Sequence, residues 1–144
     1  MEDWRGSIEA VVTTRHVLLE REKADLRSRY ERECSIAREV VVPGARLFVS
    51  EIERHGYVAR VEDAGPGVDV LVQGVRDAWI EARVSAYEVD GRPGYRIEFS
   101  LHREVGHARH HGDFLLCAPL RPVAIGAEEI ASRFAARFIG CLNK

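Results

Sequence analysis

The segment WIEARVSAYEVDGRPGYRIEFSL occupies residues 79–101 and alternates apolar with polar side chains on both sides of a turn signal. That signal is the run Asp-Gly-Arg-Pro-Gly at 90–94, which is rich in the residues that tight turns prefer. Side chains of a β-strand point alternately to its two faces. The segment therefore predicts an antiparallel hairpin. Its apolar face carries Ile80, Ala82, Val84 and Ala86 on one strand and Tyr95, Ile97, Phe99 and Leu101 on the other.

Shorter segments on either side of the hairpin extend it into an antiparallel sheet over 57–118. Residues 57–62 and 68–72 both contain alternating patterns, and an Ala-Gly-Pro-Gly turn separates them. Residues 114–118 form a last short apolar segment. We expect a sheet of four to five strands, with polar side chains on one face.

Helical patterns occupy both ends of the chain. Residues 7–42 contain neither Gly nor Pro and predict one long helix, with Ser7 as its N-cap. Pro43 is expected to end that helix, so that a short second helix covers 44–55. Residues 127–142 predict a C-terminal helix. Its apolar stripe consists of Ile130, Phe134, Phe138 and Cys141.

Together these elements predict a single α+β domain over 1–144. A length of 144 residues and 46% hydrophobic residues allow the chain to build its own core. Because one face of the sheet is polar, the three helices are expected to pack on the other face.

The predicted helix over 7–42 is too long for the domain that carries it. At 1.5 Å per residue it extends about 50 Å, whereas a compact domain of this size has a radius of gyration of about 15 Å. Apolar residues recur along it at helical spacing. They lie in the stripe Val12, His16, Leu19, Lys23, Leu26, Tyr30, Cys34, Ala37 and Val41, and Val12, Leu19, Leu26 and Tyr30 are the candidate self-association residues. We expect a homodimer, with another protein as a possible partner. The alternative is two shorter helices folded back within one subunit.

A second candidate site is rich in histidine. Four of the six histidines fall within ten residues, and an aspartate follows them. Imidazole and carboxylate groups bind zinc and other transition metals. The pattern allows a metal-dependent enzyme as the alternative function, but a solvent-exposed loop without such a role is the more frequent origin of a run of this kind, and a pH response of the histidines is a further alternative. The candidate residues are His102, His107, His110, His111 and Asp113.

Composition excludes several other classes of function. The net charge of −2 lacks the basic excess of nucleic-acid-binding proteins. No apolar run is long enough for a membrane helix. Three widely spaced cysteines argue against a disulfide framework and favour the cytoplasm. The chain contains neither GxSxG nor HExxH, so no cofactor is predicted and enzymatic activity is left open. A small-molecule pocket between sheet and helices is a third possibility.

Overall fold

The computed structural model describes residues 3–74, 78–103, 114–119 and 124–142, and they form the predicted α+β architecture. A long helical segment comes first, a sheet follows it, and a C-terminal helix closes the chain. The elements are α1 (Trp4–Ile36), a π-helical turn (Ala37–Val41), α2 (Val42–Glu53), β1 (Ala59–Asp63), β2 (Gly67–Val72), β3 (Ala78–Val89), β4 (Arg92–Arg103), β5 (Phe114–Cys117) and α3 (Ala127–Leu142).

The five strands form one antiparallel sheet in the order β1-β2-β3-β4-β5. Its centre is the predicted hairpin, in which Val89 pairs with Arg92 across a two-residue turn. Both turn residues have positive φ, 51° at Asp90 and 74° at Gly91, as the preferred hairpin turns require. The turn is therefore shorter than the predicted 90–94.

Pro93 consequently lies inside β4 rather than in the turn. The neighbouring residue Arg92 bonds towards β3, so the nitrogen of Pro93 faces the opposite edge of the strand. On that edge β5 pairs only with the segment from Tyr95 to Glu98. A proline is tolerated there because none of the described strands pairs with that position and needs the missing N–H.

The helix end predicted at Pro43 does not occur. Instead α1, the π-helical turn and α2 follow one another without a gap from Trp4 to Glu53. The N–H of Val42 bonds to the carbonyl of Ala37, five residues back. This wider turn opens the hydrogen-bond ladder at the residues that the proline would otherwise disrupt. Pro43 itself lies in the first turn of α2, where its N–H is not needed.

The start of α1 also differs from the prediction of Ser7 as N-cap. Asp3 caps the helix, since its Oδ1 accepts a hydrogen bond from the N–H of Gly6 at 3.2 Å. Ser7 already lies within the helix, and its hydroxyl donates to the carbonyl of Asp3 at 3.3 Å. The helix thus begins one turn earlier and includes Trp4.

The core lies between one face of the sheet and the helices α2 and α3. All four residues of the predicted α3 stripe are buried. Phe134 is stacked on Phe48 of α2 with ring centroids 5.8 Å apart, and it meets Phe99 of β4 edge-on at 5.3 Å. The predicted apolar face of the hairpin is buried beneath these rings, apart from the half-buried Tyr95.

Helices α2 and α3 approach each other closely at Gly44. A Cβ atom added there would lie 2.4 Å from Cγ2 of Ile130 and 3.0 Å from the carbonyl oxygen of Ala127. Ile130 is fully buried, so it has little room to move. Glycine at this position lets the two helices pack in contact.

Replacing Gly44 with alanine should destabilise the protein, although alanine is the better helix former. The clash with Ile130 is expected to lower the free energy of unfolding by about 1–3 kcal/mol. The matched control is Gly140→Ala in α3, where an added Cβ meets nothing within 4 Å. Thermal unfolding of both variants tests this, and equal melting temperatures would contradict the close approach at Gly44.

Candidate self-association site

Helix α1 projects from the globular body, which is formed by the π-helical turn, α2, the sheet and α3. Within α1, which the structure describes in full, no residue is buried. From Asp3 to Glu31 every residue except Gly6 is exposed. This part of the helix is about 40 Å long. The predicted alternative of two helices folded back within one subunit is therefore wrong, because α1 runs unbroken and is exposed on all sides as far as Glu31.

Large apolar side chains are exposed along one side of this projecting helix. At 3.6 residues per turn they fall within a sector about 120° wide. Val17 is also exposed but lies on the opposite side. We call the following eight residues the α1 stripe: Trp4, Ile8, Val11, Val12, Leu18, Leu19, Leu26 and Tyr30.

The four candidate self-association residues all belong to the α1 stripe. Their exposed fractions are 59% for Val12, 43% for Leu19, 64% for Leu26 and 53% for Tyr30. His16 and Lys23 lie beside them and are exposed as well. Further along the same predicted face, Cys34 is half-buried, and Ala37 and Val41 are fully buried. One continuous helical face is thus in the core at its C-terminal end and in solvent over the rest of its length.

A hydrogen bond attaches α1 to the edge of β3. Strand β2 pairs with β3 only as far as Arg83, so the last residues of β3 extend past it. The N–H of Ala86 donates to the Glu33 carboxylate at 3.0 Å, and Arg32 forms an ion pair of 3.1 Å with Glu88. The Glu33 carboxylate therefore accepts the hydrogen bond that a carbonyl group of a further strand would otherwise accept.

Tyr30 marks the point where the α1 stripe reaches the body. A Cβ atom added at Gly65, in the turn between β1 and β2, would lie 2.8 Å from the Tyr30 hydroxyl. The φ of Gly65 is +69°, which favours glycine in any case. A hydrogen bond with the Cys34 side chain, one turn further along α1, raises the pKa of Tyr30. The contact between Tyr30 and Gly65 places the α1 stripe, at this end, on the same side of the molecule as the β1–β2 turn.

A polar groove separates α1 from the edge of β3. Its volume is about 520 Å³, and the ion pair between Arg32 and Glu88 crosses it. The groove arises because α1 diverges from the strand, so no local sequence pattern predicts it. Its lining consists of Asp25, Ser28, Arg29 and Arg32 on α1 and Ala86, Tyr87 and Glu88 on β3.

A small-molecule pocket between sheet and helices was a third possibility, and the structure describes a cavity in that region. That cavity lies between the sheet and α3, against Phe138 and Cys141. Its volume is about 10 Å³, which is at most enough for one water molecule. A small-molecule ligand does not fit there.

Most of the histidine-rich candidate site lies outside the described residues, namely His107, His110, His111 and Asp113. His102 is described at the end of β4. Its ring stacks on Trp79 at 5.2 Å, and its Nε2 lies 3.5 Å from Oε1 of Glu81. In the described part of the chain, no three His, Cys, Asp or Glu side chains are grouped to hold a metal ion.

Three carboxylates lie side by side on the polar face of the sheet, one strand apart. Asp69 pairs with Glu62 of β1 on one side and with Glu81 of β3 on the other. Burial, and next the charge of Glu81, raise the pKa of Asp69 above its ordinary value, while His102 opposes them. Asp69 is thus destabilising when it is ionised.

Comparisons with protein-family models, with curated proteins and with solved structures found no match. Within the described ranges, no helix is both long and apolar enough to span a membrane. Among the described residues, the exposed α1 stripe is a feature that indicates an interaction surface.

Replacing Glu33 with alanine should loosen the attachment of α1 to β3. Hydrogen bonds to a charged group contribute about 1.5–3 kcal/mol, less where water competes. We expect faster hydrogen exchange at the amide of Ala86, measured by NMR or mass spectrometry. Glu31→Ala, two residues away and exposed, is the control and should leave that amide unchanged. Unchanged protection in the Glu33 variant would show that the carboxylate does not hold this edge.

Replacing Asp69 with asparagine should stabilise the protein at neutral pH. The folded state raises the pKa of Asp69, so ionisation costs stability above that pKa, and the cost disappears once the carboxyl is protonated in both states. The melting temperature should rise at pH 7, and the gain should vanish in acid, about pH 3. Asp25→Asn on the exposed helix is the control. A gain that persists in acid would contradict an electrostatic origin.

Proposed function

We propose that this protein is a non-catalytic assembly domain that forms a homodimer through the α1 stripe. One observation on helix α1 supports this proposal. A helix about 40 Å long exposes eight large apolar side chains on one side. Exposed apolar side chains that recur along one side of a helix are a feature of interaction surfaces.

A second copy of the chain is the partner that we propose. Two-fold dimers are the commonest oligomers of soluble proteins, and they place the same surface on both subunits. The sector of the α1 stripe also contains the charged residues Arg15, Glu22 and Arg29, and His16 and Lys23 lie just outside it. Polar residues in a helical seam lower the stability of the pair but restrict its register.

The proposed compartment is the reducing cytoplasm. No disulfide joins Cys34, Cys117 and Cys141, all of which the structure describes. Cys141 is buried and the other two are half-buried. Unoxidised cysteines of this kind are typical of intracellular proteins, whereas secreted domains tend to form disulfides.

Replacing both Leu19 and Leu26 with glutamate should convert the dimer into a monomer. Each change puts a charge into the apolar contact, and the two copies bring four like charges together. Size-exclusion chromatography with light scattering measures the mass, and circular dichroism checks that the body stays folded.

The control for this experiment is Val17→Glu. Val17 lies on the same helix and is comparably exposed, but it points away from the α1 stripe. The proposal requires this variant to remain dimeric. A wild-type protein that is monomeric at all concentrations, or an assembly that survives the double substitution, would refute it.

A further inference from the structure

We draw no further inference here: the strongest candidate, the polar groove between α1 and the edge of β3, is lined by two acidic and two basic side chains, of which Arg32 and Glu88 already pair with each other, so nothing in the described structure indicates the class of ligand that would occupy it.

Discussion

The hydrogen bond from the Ala86 amide to the Glu33 carboxylate determines where α1 leaves the body. Strand β3 is longer than β2, so its last residues need another partner for their backbone groups. Glu33 meets that need only if α1 passes this edge in one orientation. The π-helical turn then carries the chain into the core at Val41. Everything before Tyr30 must consequently project into solvent, and the candidate function follows from that projection.

Much of the fold could be predicted from local patterns. The hairpin at 79–101, the C-terminal stripe and the helical character of 7–42 all rest on repeated signals of period two or about 3.6. The continuous helix through Pro43 could not be predicted, because it depends on a π-helical turn that responds to packing of Ala37 and Val41 in the core. The turn at Asp90 and Gly91 was predicted at the right place but with too many residues. Proline is a typical turn residue, and the sequence does not show that β5 pairs with β4 only from Tyr95 to Glu98, which allows Pro93 to lie in the strand.

The candidate site was predictable in part. The spacing of Val12, Leu19 and Leu26 identified the face of the helix, and the structure places these residues in solvent. The predicted stripe left out Trp4, because the helix was expected to begin at Ser7. It also left out Ile8, Val11 and Leu18, which lie inside the predicted helix. The contacts of Glu33 and Tyr30 with the body join residues far apart in the chain, and no local pattern contains that information.

The central claim is that the projecting helix pairs with a second copy of itself. Sedimentation equilibrium of the unmodified protein over a wide range of concentration tests it most directly. The monomer has a mass of 16.2 kDa. A homodimer formed through α1 predicts a reversible equilibrium between this mass and twice this mass, with the dimer dominant at high concentration. A single species of monomer mass throughout the range would contradict it.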